Sequence, residues 1–243
     1  MAFNSQRQTM VVLSPDQQLA VSRFMSKTYG WMTIGVALTA VVSWVVASNE
    51  ALSTYILMNR WLMMLLIFGE LGLVMGLSFA FNRLSPAAAT GGFLFYAALS
   101  GVTFSTLFFV YTMQSITQIF FITACMFGGL ALFGTVTKRN LSAMGTFMMM
   151  GVWGLILVGI VNLFVGSESL SLGMSVAGVV IFAGLTAWDA QKIKYLAFQS
   201  VIESRPGSEG VARKTAILGA LMLYLDFVNL FLNLLRLFGG RRE

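Results

Sequence analysis

The sequence contains no histidine and a single cysteine, Cys125, which sits inside an apolar run. Without histidine, neither Ser-His nor Cys-His nucleophilic catalysis can be assembled, and histidine-based metal sites are excluded. One cysteine cannot close an intrachain disulfide or build a thiolate cluster, so Cys125 is read as a small packing residue. Charge is scarce as well: 10% of the residues are charged, against about 25% in a soluble domain. No stretch alternates in the ten-residue pattern of a membrane β-barrel. There is no P-loop, no glycine-rich nucleotide fingerprint after a strand, and no internal repeat. Residues 1–28 are polar, so a cleaved signal is not expected at the start of the chain.

What the sequence has instead is hydrophobic length. Hydrophobic residues make up 58% of the 243, and the mean hydropathy is +0.83. They gather into seven runs, at about 30–47, 61–81, 87–111, 118–136, 143–165, 172–188 and 216–238. Each is long enough, at about 1.5 Å per helical residue, to cross a hydrocarbon core of about 30 Å. The expected fold is an all-α integral membrane protein of seven transmembrane helices. Residues 1–29 form an arm whose Ser14-Pro15-Asp16-Gln17 start signal opens a short amphipathic helix on the membrane surface. Residues 30–238 form the transmembrane domain, and 239–243 a short basic tail. The connections are short except 189–215, where Arg205-Pro206-Gly207 marks the one flexible loop. Gly72 and Gly76, and Gly128, Gly129 and Gly134, are read as sites of close helix packing.

Fifteen lysines and arginines outnumber nine acids, for a net charge of +6. The basic residues flank the apolar runs rather than forming a soluble patch, so nucleic acid is not a partner. With the N-terminus in the cytoplasm, eleven fall inside: Arg7, Arg23, Lys27, Arg83, Lys138, Arg139, Lys192, Lys194, Arg205, Arg213 and Lys214. Four fall outside, namely Arg60, Arg236, Arg241 and Arg242. The positive-inside rule therefore orients the arm inward.

Three acids remain at membrane depth. In the seventh run, Asp226, Asn229, Asn233 and Arg236 fall within an arc of roughly 80° at 100° per residue, a polar stripe on an apolar rod. Such a stripe must face other helices or a wet cavity, either as a path or switch or as interhelical hydrogen bonds. Asp189 ends the sixth run, either as half of a site with Asp226 or as an interfacial acid paired with Lys192 or Lys194. The assigned runs place Asp226 about 15 Å from the start of its helix and Asp189 at the boundary. The two meet only if the seventh helix begins below the membrane or the sixth tilts. If they meet, two carboxylates in low dielectric cannot both ionise cheaply and share a proton. Loss of that proton makes them repel or capture a cation, and Arg83 is the best-placed basic partner. Glu70, mid-run in the second helix, is either hydrogen-bonded to a neighbouring Ser or Thr or a second cation-coordinating step.

Two segments resemble a known family. Phe182-Ala183-Gly184-Leu185-Thr186-Ala187-Trp188-Asp189-Ala190-Gln191-Lys192 is similar to the sixth-helix signature of the Bax inhibitor family, also called the transmembrane Bax inhibitor motif family. The stretch from Leu218 through Tyr224-Leu225-Asp226-Phe227-Val228-Asn229 to Phe231 is similar to its seventh. Lys27-Thr28-Tyr29-Gly30-Trp31-Met32 resembles the entry to the first helix in bacterial members. The likeness runs from about residue 24 to 240. It implies seven helices with the last one central and six packed around it. It implies a pH-dependent calcium leak gated by an aspartate pair, here Asp189 and Asp226, with calcium as the transported ion and no cofactor. It implies an arginine near the end of the second helix that engages the pair. Arg83 is the nearest match, although Phe79-Ala80-Phe81-Asn82-Arg83 departs from the family pattern. The short tail gives no basis for the tail-dependent regulation of eukaryotic relatives. A multi-pass protein of the bacterial inner membrane is the expected setting.

Three function classes follow. The first is a proton-gated cation leak in the lipid bilayer, using Asp189 and Asp226 for gating and calcium binding, and Glu70, Asn229 and Asn233 along the path. The second is an interaction protein that modulates a membrane-anchored ATP-dependent protease, as some bacterial relatives do. The third, an intramembrane aspartyl hydrolase, lacks the glycine-rich motif expected beside the second acid, so the protein is not expected to be an enzyme.

Overall fold

The computed structural model describes residues 14–80, 83–202 and 209–242. Within these residues the chain is helical, and seven helices are long and apolar enough to cross a membrane. The stretch 205–207, read as a flexible loop, lies outside the described residues, as do the first thirteen residues of the arm.

Helix α1 (Pro15–Ser48) begins on the capping box visible in the sequence. Ser14 Oγ accepts from the Gln17 amide at 3.3 Å, and Gln17 Oε1 accepts from the Ser14 amide at 3.0 Å. The helix then runs unbroken through the segment expected to lie separately on the membrane and on into the first span. Nothing from Asp16 to Ser48 stops it: there is no proline, and Gly30 and Gly35 stand alone. Phe24 and Met25, expected at the membrane surface, are buried against the protein.

Polar caps punctuate the rest. Asn49 opens the short α2 (Glu50–Met58) by accepting from the Leu52 amide at 3.0 Å. Asn59 does the same for α3 (Arg60–Phe79) through the Leu62 amide. Ser85 with Pro86 starts α4 (Pro86–Phe104), and α5 (Leu107–Val110) prolongs that span. Thr112 caps α6 (Met113–Val136). Helix α7 (Ser142–Val165) ends at Gly166, whose φ of 65° is left-handed and suits glycine. Helices α8 (Glu168–Ile202) and α9 (Glu209–Phe238) complete the chain.

The last two helices differ most from the sequence reading. Most of 189–215, expected as a loop, is helix. Helix α8 runs thirteen residues past Asp189, about 20 Å, and α9 begins seventeen residues before Asp226, about 26 Å. The two antiparallel helices therefore reach Asp189 and Asp226 after similar climbs from one end, which removes the depth mismatch.

Burial is uneven. In the most apolar window of α9, 61% of the residues are buried, against none in α7, although α7 is the more hydropathic. Helix α9 packs against α8, α1, α6 and α4, with α8 its most extensive contact. Leu223, Tyr224 and Leu230 of α9 are wholly inaccessible. The glycines divide likewise. Gly134 meets the backbone of Ala187 on α8 so closely that no side chain could fit, but Gly72, Gly76, Gly128 and Gly129 face open space. Close packing thus holds for Gly134 and not for the other four. Cys125 is exposed on α6 rather than packed.

Beyond α9 the tail is fastened. Thr112 N–H donates to Gly240 O at 3.1 Å, Arg242 N–H to Val110 O at 3.0 Å and Gly240 N–H to Ser115 Oγ at 2.9 Å. This end of α9 therefore lies beside the connection between the third and fourth spans, and α9 crosses without doubling back.

Candidate functional site

Asp189 of α8 and Asp226 of α9 are 7% and 5% exposed. They are close enough for the charge on one to act on the other. Asp189 Oδ1 and Asp226 Oδ2 are buried and have no hydrogen-bond partner among the described residues. The local sequence explains the arrangement. Ala187 and Ala190, on either side of Asp189, are 2% and 0% exposed, so neighbouring helices approach closely. Gly134 of α6 rests on the Ala187 carbonyl, and Gly145 of α7 lies under the Trp188 ring. Phe227, next to Asp226, makes edge contacts with Phe120 and Phe127 of α6, at centroid distances of 5.6 Å.

The nearest cation is Lys192, one turn from Asp189 on the same helix. Its charge acts on both carboxylates, while its ammonium sits 4.9 Å from the centre of the Trp188 ring. Lys194 is engaged elsewhere, donating to Thr135 O at 2.7 Å. The structure does not bring Arg83 to the pair. Arg83 is exposed in the turn before α4, with no ion pair among the described residues. The next residue, Leu84, accepts through its carbonyl from Lys214 Nζ at 3.4 Å. Lys214 lies twelve residues from Asp226, about 18 Å along α9.

The other stripe residues point to packing. Asn229 Nδ2 donates to Leu225 O at 2.8 Å and Asn233 Nδ2 to Asn229 O at 2.7 Å, both along their own helix. The Asn233 amide fills the space that Gly178 leaves on α8. Arg236 is exposed at the end of α9.

Glu70 belongs to a second polar cluster. Its carboxylate accepts from Ser100 Oγ at 3.4 Å and from the Thr103 hydroxyl, both on α4. Ser100 also borders the Tyr96 and Tyr224 hydroxyls. Tyr224 OH and Thr39 Oγ1 share a hydrogen bond of 2.8 Å. Thr39 has a single hydroxyl hydrogen, and the Ala97 carbonyl lies 2.7 Å away, so Tyr224 is the donor to Thr39. Sequence reasoning passed over Tyr224 and Thr39. The signal was a phenol in mid-span, which must find a partner when buried. Tyr224 and Asp226 are two positions apart, a turn of about 200°, so α9 presents one polar group to α1 and α4 and the other to α8.

A helical bundle of seven spans, with two buried acids where the last two helices meet, defines a polytopic membrane protein with a polar interior site. Comparison with known proteins agrees. The family model described as "Inhibitor of apoptosis-promoting Bax1" matches residues 21–243. "Inner membrane protein YbhL" of Escherichia coli strain K12 is 45% identical over 219 residues, covering 90% of this chain and 92% of that protein. A protein of Deinococcus radiodurans is 45% identical over 221 residues, 91% and 92% of the two chains. One of Borreliella burgdorferi is 40% identical over 236 residues, 96% and 100%. The chain belongs to the Bax inhibitor family.

Proposed function

We propose that this protein is a passive cation leak of the bacterial inner membrane that conducts calcium, with a proton shared between Asp189 and Asp226 as its gate. The observation that carries this reading is the pair of buried carboxylates on α8 and α9, each with an oxygen that no group among the described residues satisfies. Two such groups in low dielectric are stable together when one proton bridges them, and that bridge ties α8 to α9. As pH rises and the proton leaves, the carboxylates repel or take up calcium, whose hard cation prefers carboxylate oxygens. Leak is low in acid and rises with pH. No histidine is available to take over the titration. The same two oxygens are the candidate calcium ligands, with Lys192 as the competing charge.

The N-terminus lies in the cytoplasm, by the asymmetry of the basic residues. With Cys125 replaced, a cysteine introduced as Arg139→Cys is expected to resist labelling from outside intact cells. Efficient labelling there reverses the orientation.

The test of the gate is calcium flux into liposomes holding the purified protein, with pH set on each side from about 5 to 8. Wild type is expected to leak more as pH rises, and the Asp189→Asn, Asp226→Asn double variant to be nearly pH-blind. A wild-type pH–flux curve from the folded double variant would falsify the gate. The acids would then be packing groups, and modulation of a membrane-anchored protease would become the leading reading.

A further inference from the structure

At the end of the bundle where α9 stops, a cavity of about 670 Å³ opens among α7, α8, α9 and the tail, with Tyr111, Asn162, Glu168, Ser171, Arg236 and Arg241 in its lining. This volume lies within the range of about 300–1,000 Å³ usual for ligand sites. Its charged groups are of both signs, yet neither arginine forms an ion pair with Glu168 or any other described acid. Asn162 and Ser171 are already joined, through Nδ2 to Oγ at 2.7 Å.

The two arginines reach the cavity by different means. Arg236 sits in the last turn of α9. Arg241 lies beyond the helix and is held by the strap in which Gly240 O and Arg242 N–H pair with Thr112 and Val110. Gly239 allows this, because a side chain there would strike the Leu235 carbonyl and the Tyr111 ring. Snorkelling toward water would account for Arg236 alone. It does not account for a second arginine brought back by backbone pairing to the same cavity, facing an acid at the start of α8.

We propose that this cavity binds the headgroup of a zwitterionic phospholipid, its phosphate between Arg236 and Arg241 and its ammonium toward Glu168. Guanidinium groups match phosphate oxygens with two parallel donors. The position fits: Arg236 lies in the last turn of α9 and Glu168 is the first residue of α8, the depth of the membrane boundary. The proposal does not depend on the leak.

The test uses the full chain in detergent, titrated separately with dihexanoyl phosphatidylethanolamine, dihexanoyl phosphatidylglycerol and inorganic phosphate, and read by calorimetry and by the unfolding midpoint. Phosphatidylethanolamine is expected to bind saturably and raise the midpoint. Phosphatidylglycerol, which lacks the ammonium, is expected to bind several-fold more weakly, and phosphate alone more weakly still. Arg241→Gln should weaken phosphatidylethanolamine binding about tenfold, the loss of a charged hydrogen bond. Glu168→Gln should bring phosphatidylethanolamine down to the level of phosphatidylglycerol, which distinguishes headgroup binding from a general fondness for anions. Equal binding of the two lipids, phosphate binding as tight as lipid, or undiminished binding by Arg241→Gln each overturn the proposal.

Discussion

The protein holds acids at membrane depth in two places and treats them oppositely. Glu70 sits in a finished hydrogen-bond network, with hydroxyl donors from Ser100 and Thr103 on the neighbouring helix. Asp189 on α8 and Asp226 on α9 each keep a buried oxygen without a hydrogen-bond partner among the described residues. A satisfied carboxylate is a fixture, since each hydrogen bond to it is lost if it moves. An unsatisfied pair has a state to change, because a proton or a cation completes it. Under the proposed gate, the difference separates acids that hold helices together from acids that respond.

The largest expected effect is on response. Replacing both Asp189 and Asp226 by Asn should abolish most of the pH dependence of calcium flux while leaving detergent thermostability near that of wild type, because Asn can reproduce the hydrogen bond of a protonated pair. Glu70 should behave in the reverse way. Glu70→Leu strands the Ser100 and Thr103 hydroxyls and should cost about 1–3 kcal/mol in unfolding free energy, with Glu70→Gln milder and the pH profile of flux kept. If Glu70→Leu flattened the pH profile without loss of stability, the contrast between the two sites would collapse.

A smaller effect is expected at Lys192. Lys192→Gln removes the nearest positive charge from the pair, a loss of about 1 kcal/mol of repulsion toward a bound cation. Calcium competition against a second permeant ion should then tighten by roughly fivefold. An unchanged calcium affinity would mean that water screens Lys192 from the pair. The smallest effect belongs to Arg83: Arg83→Gln should leave flux and its pH profile within measurement error, since the residue is exposed and at the level of Lys214. A pH profile altered by Arg83→Gln alone would show that the gate includes the α3–α4 turn.

The seven spans were legible because hydrophobic length is a local property: a helix that crosses a bilayer must carry about 20 apolar residues whatever it packs against. The Ser14 capping box was legible for the same reason. The acids were legible as oddities, since charge inside an apolar run is costly wherever the run ends up. Whether an acid was a fixture or part of a responsive site was not, because that depends on what the next helix presents. The sequence leaves Glu70 with two readings, and only the neighbouring helix supplies Ser100 and Thr103 as its donors; Arg83 ends an apolar run, but its turn lies beside Lys214. Helix ends on the water side were hidden too. Residues 189–202 and 209–215 are too polar to read as membrane spans, yet they continue α8 and α9, because packing supports the helix: Ile193 and Ala197 are buried within the first segment, and the second runs straight into the buried Ala216 and Ile217. The sequence by itself thus determined the helical class, the number of crossings and the few residues able to carry charge inside the membrane. Only the tertiary structure decided what surrounds each of them, because the surroundings of Glu70, Asp189 and Asp226 are set by side-by-side packing of helices, which no local pattern encodes.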